Sequence, residues 1–275
     1  MEVNDVLIQN DRKVVRCPVC FRSVYNNYDV SDWNGDRAMW YHCFCGSVFH
    51  AEPPIEKKKV YTSSHRTEYK EKKSMQDRWD MTVRIYAPMI EELTWGRKML
   101  DVGYCVPYMG TRMAERGWIT EGIDILPPEK TDPSLIQGDF ESYDFGIKRY
   151  DFILMGDMVQ CFDNPVGAIQ KAYSLLAPGG LLLVWTPDSQ QMFLFGNHNW
   201  GHWNRKEHRV YFSGDKFKEV AGRIGFDLVV FWRNVNSRFV STNTFHCLLQ
   251  KPMVRLEHEE YKENTDGKND KPTVG

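Results

Sequence analysis

The chain has 275 residues, a formal net charge of −2 and 42% apolar residues. That length accommodates one α/β domain of ordinary size plus a small appendage. The charge balance excludes the global basic excess of a dedicated nucleic-acid binder, and no stretch approaches the roughly 18 uninterrupted apolar residues of a membrane span.

The opening segment, Met1 to Lys13, mixes acids with bases and lacks the apolar core of a signal peptide, so the expected location is the cytoplasm and no membrane partner is expected. The chain's 7 cysteines are unevenly spread. Cys17, Cys20, Cys43 and Cys45 crowd the N-terminus, whereas Cys105, Cys161 and Cys247 lie among apolar neighbours and read as small buried hydrophobes. In a reducing compartment the clustered four point to metal rather than disulfides.

Cys17-Pro18-Val19-Cys20 followed by Trp40-Tyr41-His42-Cys43-Phe44-Cys45-Gly46 resembles a zinc ribbon. A structural zinc takes four soft or borderline ligands in a tetrahedron, and two close pairs on facing turns supply them. The expected ligands are Cys17, Cys20, Cys43 and Cys45, with His42 or His50 as substitutes for Cys43, because the usual second pair would place a ligand at His42. Such a metal folds a module too small to bury its own core. No thioredoxin-like βαβ unit surrounds the pair, which disfavours a redox role. The module is assigned to residues 1–54.

Residues 55–78 form a charged stretch with Lys57-Lys58-Lys59, His65-Arg66 and Lys70-Glu71-Lys72-Lys73 clusters, read as a linker entering a helix. Interleaved acids favour a solvated helix face over a nucleic-acid contact. Residues 79–253 alternate apolar strands with amphipathic helices, and residues 254–275 form a polar tail expected to be disordered. Strands are predicted at Met99–Val102, Ile119–Asp124, Leu135–Gln137, Tyr150–Met155, Leu181–Thr186, Leu228–Trp232 and Thr244–Gln250. Helices are predicted at Tyr108–Arg116, Pro165–Leu176 and Gly214–Ile224. Asn164 can cap the second helix, Pro165 suits its first turn and Gly179 follows its end. Alternating β and α elements imply a mostly parallel sheet with helices on both faces, and the last two strands, having no helix between them, should pair antiparallel.

The run from Met99 through Asp101-Val102-Gly103, a helix, Gly117 and a second strand ending at Asp124 resembles the opening of the class I, Rossmann-like S-adenosylmethionine-dependent methyltransferases. The resemblance continues through the fourth strand and the helix-to-fifth-strand corner. It implies an α/β fold with a seven-stranded, mostly parallel sheet, an antiparallel last strand and S-adenosylmethionine as cofactor. A sharp strand-to-helix turn leaves backbone N–H groups free to hold a carboxylate. The cofactor-binding residues implied are Asp101, Gly103, Tyr104, Cys105, Asp124, Ile125, Asp139, Phe140, Gly156 and Asp157. Among them Asp124 takes the ribose hydroxyls and Asp139 the adenine amino group, with Phe140 beside the ring. Where the family has a glycine-rich turn, this chain has Gly103-Tyr104-Cys105-Val106-Pro107. Two glycines are gone, and Pro107 carries no N–H.

Methyl transfer needs a nucleophile positioned against the cofactor. The segment Met155 to Pro165 resembles that of ubiquinone-type O-methyltransferases and their small-molecule relatives, but with Gln160-Cys161 where those commonly have Glu-His. Motifs for DNA amino methylation or base-carbon methylation are missing from the fourth strand's end. Beyond the fifth strand, His198, His202, Glu207 and His208 lie in a loop with Trp200 and Trp203, and Glu207-His208 matches an element of this broad subfamily. Catalytic roles are assigned to His208, His202 and Glu207, since an imidazole can take a proton near neutral pH. The competing reading is that Glu207 and His208 hold the loop to the domain. The two tryptophans are pocket walls or lid packing. The expected acceptor is a hydroxyl on a small molecule, sugar or glycan. The alternatives are an RNA methyltransferase that grips RNA with the ribbon, and a catalytically silent binding protein.

Overall fold

The structure, a computed structural model, describes residues 7–9, 12–31, 35, 37–51, 73–195, 200–234 and 243–253. Most of the expected linker, His198 and the C-terminal tail lie outside the described residues.

The larger part of the chain is one seven-stranded sheet. Its parallel members are β7 (Lys98–Val102), β8 (Ile119–Asp124), β9 (Leu135–Gln137), β10 (Tyr150–Gly156) and β11 (Leu176–Pro187). The strand β13 (Asp227–Asn234) and β14 (Thr244–Gln250) complete it, and β14 runs antiparallel to both β11 and β13. The spatial order is β13-β14-β11-β10-β7-β8-β9, the sheet expected from the sequence. After β9 the chain returns to the other side of β7, so strand order reverses between β7 and β10. In open α/β sheets the crevice at that reversal, outside the carboxyl ends of the strands, is where ligands bind.

Helices cover both faces. On one, α1 (Lys73–Leu93) and α2 (Tyr108–Ala114) bury Tyr86, Ala87, Ile90, Met109 and Met113 against Met99, Phe152, Leu154 and Leu183 of the sheet. On the other, α3 (Pro165–Leu175) and α5 (Gly214–Ile224) bury Ile169, Ala172, Phe217 and Ala221 against Leu100, Ile153, Leu182 and Cys247. Between them, α4 (Ser189–Phe195) follows β11. Asn164 caps α3 as expected, its Oδ1 accepting from Gly167 N at 3.0 Å, and Ser213 caps α5, its Oγ accepting from Lys216 N at 3.2 Å. Gly225, at φ +113°, ends α5 in the left-handed conformation that favours glycine.

The N-terminal strands are β1 (Leu7–Gln9), β2 (Arg12–Arg16), β3 (Ser23–Val24), β4 (Asn27–Ser31), β5 (Arg37–His42) and β6 (Val48–His50). They are not a detached appendage. A short strand β12 (Val210–Tyr211), from the loop after β11, pairs with β6 and completes a four-stranded sheet ordered β12-β6-β5-β4. Ser189 Oγ donates to the Gly46 carbonyl at 2.6 Å, and Cys17, Cys43 and Phe49 join the same core as Val210 and Phe212. Trp40 packs at 4.8 Å from Trp203 and 5.1 Å from Tyr211, and Trp200 at 4.7 Å from Tyr211. Trp200 and Trp203 are therefore buried against the module. Among the described residues no helix is long and apolar enough to cross a membrane.

Candidate active site

The turn after β7 is built around two left-handed residues, Gly103 at φ +72° and Cys105 at φ +48°. Cys105 thus adopts a conformation that a glycine takes without strain, at a position where the family usually has one. Gly103 N donates to the Ile123 carbonyl at 2.8 Å, and Cys105 N donates to Asp124 Oδ2 at 2.8 Å. The other carboxylate oxygen of Asp124 accepts from Leu126 N at 2.8 Å. Asp124 therefore ties together the loops that flank the crevice. Glycine is favoured at 103 by φ +72°, and a Cβ there would meet Met158 Sδ at 2.1 Å, so the methionine would have to move aside.

Asp101 is buried beneath this turn, and burial, helped by the charge of Asp124, raises its pKa to about 7. Tyr104 turns its ring over Gly122 beside Leu135. Gly122 shares its face of β8 with Thr120, which lies against Gly110 of α2, so Tyr104 packs on the helix side of the sheet. Ile125 presents its carbonyl to Gln137 Nε2 at 3.5 Å. After β9, Asp139 Oδ1 accepts from Glu141 N at 3.1 Å, which sets the local turn. Phe140 is turned into the core, 5.8 Å from both Phe145 and Phe162 with the Lys171 ammonium 5.3 Å from its ring.

Beyond β10, Asp157 stands at φ +54° with its N–H donated to the Trp185 carbonyl at 2.9 Å. Its Oδ2 pairs with Arg78 of α1 at 2.8 Å. Gly156 makes room for Trp185, whose indole would collide with any Cβ there. Gln160, Thr186 and Asp188 serve the framework. Thr186 Oγ1 donates to Gln160 Oε1 at 2.7 Å, and Asp188 accepts from Gly214 N at 3.1 Å and Arg233 Nε at 2.8 Å.

His208 lies on the loop leading to β12. Its Nδ1 is 3.1 Å from the His202 carbonyl and 3.0 Å from Tyr211 Oη, and Tyr211 donates its own proton to that carbonyl at 2.5 Å. A carbonyl only accepts, so the His208 proton sits on Nδ1 and the lone pair on Nε2. Burial holds its pKa down at about 4, with the nearby charge of Asp157 opposing. His202 contributes its carbonyl to this arrangement, and its ring lies edge-on to Trp200 at 5.2 Å. Glu207 N donates to Asn204 Oδ1 at 3.1 Å.

Sequence reasoning named no site residue on α1 or β14, although it placed the strand at Thr244–Gln250 and a helix after the charged stretch. Arg78 and Trp79 stand at the edge of a run of charges that hid the onset of a helical apolar face through Thr82, Val83, Tyr86 and Ile90. His246 lies within an apolar strand, where it reads as core. In the fold, Trp79 packs 5.4 Å from Trp185, and His246 stacks on Trp185 at 5.6 Å.

The four N-terminal cysteines come together, with every sulfur within 4.8 Å of the others. Cys17 and Cys45 are 3.8 Å apart and Cys20 and Cys43 3.4 Å. Four sulfurs at a Zn–S distance of about 2.3 Å would lie about 3.8 Å apart, so the donor set and spacing fit zinc. Neither His42 nor His50 belongs to the cluster. His50 Nε2 instead donates to the His208 carbonyl at 2.8 Å, and this holds the catalytic-loop candidate to β6.

A family model described as "Methyltransferase domain" matches residues 21–230. The chain belongs to this methyltransferase family. Among solved structures it is similar to magnesium protoporphyrin IX methyltransferase from Synechocystis PCC 6803 with bound SAM. That likeness has 13% identity over 73% of this chain and 100% of the other, with a TM-score of 0.51. A chain from the complex between the Haloferax volcanii Trm112 methyltransferase activator and a methyltransferase is 12% identical over 73% of this chain and 100% of its own, with a TM-score of 0.52. At such identities the likeness defines the fold, that of the class I methyltransferases. No curated protein sequence matches the chain significantly.

Proposed function

We propose that this chain is an S-adenosylmethionine-dependent methyltransferase acting on a hydroxyl of a small-molecule, sugar or glycan acceptor. It carries a structural zinc on Cys17, Cys20, Cys43 and Cys45, in a module of residues 1–54 that precedes a catalytic domain of residues 79–253. The observation that carries the reading is the pairing of two features at one end of the sheet. On one side of the strand-order reversal lies the Gly103–Asp124 cradle, and on the other stands an unprotonated imidazole nitrogen, His208 Nε2, within reach of the Asp157 charge. The solved neighbour of the same fold with bound SAM supports the choice of cofactor.

When bound, S-adenosylmethionine supplies an electrophilic methyl group. Asp124 would take the ribose, while Gly103, Cys105 and Asp101 line the methionine side and Gly156 and Asp157 close it. Asp139 would hold the adenine end, with Phe140 supporting it from the core. His208 Nε2 accepts the proton that the acceptor hydroxyl sheds. His202 orients that imidazole through its carbonyl, and Glu207 anchors the loop between them. Burial holds the His208 pKa at about 4, so the imidazole is unprotonated at neutral pH.

Methyl transfer from radiolabelled cofactor should be assayed over a panel of phenols, sugars and hydroxy acids, with a structured RNA as a further arm. A hydroxyl acceptor should emerge whose turnover falls roughly 100-fold or more in His208→Gln, in line with the usual size of general-base catalysis. Calorimetry with S-adenosylmethionine runs beside it. No binding at millimolar cofactor would mean a silent protein that kept the fold.

A further inference from the structure

Two buried side-chain nitrogens near the end of β10 have no hydrogen-bond partner among the described residues. They are Trp185 Nε1 and His246 Nε2, in residues 2% and 4% exposed. The residues are directly opposite in the β11–β14 register, and their rings stack at 5.6 Å with 25° between planes. Trp185 turns toward Gly156 the Cε2–Cζ2–Cη2 edge of its six-membered ring, whose atoms a Cβ there would meet at 2.7, 2.2 and 2.8 Å, and Nε1 is bonded to the first of them. Asp157 follows immediately, and its charge and that of Arg78 both reach His246. The pair thus sits where an acceptor would approach.

The proton on His246 can be located. Tyr86 Oη lies 2.9 Å from His246 Nδ1, and this is the one hydrogen bond of the buried phenol among the described residues. If Nδ1 carried the proton, the phenol proton would have no acceptor. In the satisfied arrangement Tyr86 donates, Nδ1 accepts and the imidazole proton sits on Nε2. Burial keeps the ring neutral, so this tautomer persists at physiological pH. His246 therefore offers an N–H, whereas His208 offers a lone pair. The Trp185 indole is a donor only.

Two enclosed donors without an acceptor carry a desolvation cost that an incoming oxygen would repay. Trp79 at 5.4 Å from Trp185, and Trp232 at 5.3 Å from Tyr86, wall the pair with aromatic surface and keep bulk water away. We propose that His246 Nε2–H and Trp185 Nε1–H form a recognition pair for an sp2 oxygen, carbonyl or carboxylate, carried by the acceptor beside the hydroxyl to be methylated. The proposal rests on the reading of this strand end as the acceptor site. A pocket built to donate to such an oxygen rejects analogues that lack it, so the pair would set specificity.

The test is nitrogen-15 NMR on the full chain loaded with S-adenosylhomocysteine, titrated with acetate, acetamide and, as a control, potassium chloride. Loss of a signal in Trp185→Phe and in His246→Gln identifies the two resonances. The expected result has two parts. His246 reads as the Nε2–H tautomer, and acetate or acetamide moves the Trp185 indole signal saturably, with an apparent affinity at least tenfold weaker in His246→Phe. Acetate alone would identify a carboxylate, and a response to both would identify any sp2 oxygen. An Nδ1–H tautomer overturns the proposal, as does an indole signal that answers only to chloride or to nothing. Cofactor affinity is measured on the same samples. If S-adenosylhomocysteine does not bind the wild type, the methyltransferase reading fails separately, because the tautomer and the acetate response are also read on the chain without S-adenosylhomocysteine.

Discussion

The backbone N–H of Cys105 donates to the carboxylate of Asp124 across 2.8 Å, joining the turn after β7 to the end of β8 before any ligand arrives. The same carboxylate accepts from Leu126, so one side chain sets the shape of both walls of the cleft. Replacing it should therefore do more than remove a ribose contact. Asp124→Ala is expected to weaken S-adenosylmethionine binding by at least 10-fold to 100-fold, the size of a lost charge-assisted hydrogen bond. It should also speed amide exchange at residues 103–106. Weak binding with unchanged exchange would mean that the two loops hold their shape without Asp124. Cys105→Gly should keep both binding and stability within about 1 kcal/mol, because glycine accepts the left-handed backbone that Cys105 adopts.

Cofactor binding should be linked to a proton on Asp101. Burial and the charge of Asp124 leave this carboxyl half protonated near pH 7 in the free protein. A cationic ligand in the adjoining cleft favours the carboxylate, so binding should expel a proton wherever the free group is protonated. Affinity should rise as pH increases from about 6 to 8. Calorimetry in buffers of different ionisation enthalpy measures the proton count, which should approach zero above pH 8 and vanish in Asp101→Asn.

His246 and His208 make stability depend on acid. Burial lowers both from the ordinary histidine value to about 4. Between pH 6.5 and 4 the unfolded chain holds protons that the folded chain refuses, so stability is full above that window and falls as pH drops through it. Each histidine contributes up to about 1.4 kcal/mol per pH unit. Urea titrations across this range should give a slope that flattens by roughly half in His246→Gln. An unchanged slope would place the acid sensitivity elsewhere.

Removing zinc should loosen more than the N-terminus. One zinc per chain is expected by elemental analysis, and a chelator should release protection first in β5 and β6. Because β6 pairs with β12, amides at Val210 and Tyr211 should lose protection in the same step, while β7, β10 and β11 keep theirs. Full protection of β6 in metal-free protein would argue against a structural metal.

The parallel sheet was legible because its elements carry local signals: apolar strand runs, the Asn164-Pro165 start and the Gly179 that follows α3. Thus β8, β9, β14 and α5 begin and end where periodicity places them. The β11 strand extends further than expected, from Leu176, because pairing with Tyr150 continues the ladder past the Gly179-Gly180 corner. What pattern reading could not supply was long-range. Val210-Tyr211 is two residues long and becomes a strand only because β6 offers it an edge. Arg78 and His246 reach the site from elements far apart in the chain, and neither has a neighbour in sequence that marks it. The cysteine cluster was visible because two short spacings reveal it, whereas the engagement of His50 with the 208 carbonyl depends on tertiary contact alone.

The two-residue pairing of β12 with β6 also constrains inheritance. Deleting the first fifty residues would strip the cover from Trp203 and Tyr211 and leave β12 as an orphan edge, a liability for self-association. The larger sheet, parted from the N-terminal strands, would carry that exposed apolar surface into any other polypeptide. Any chain that inherits the loop carrying His208 would have to inherit β6 with it, because among the described residues Val210 and Tyr211 find their strand partners only there.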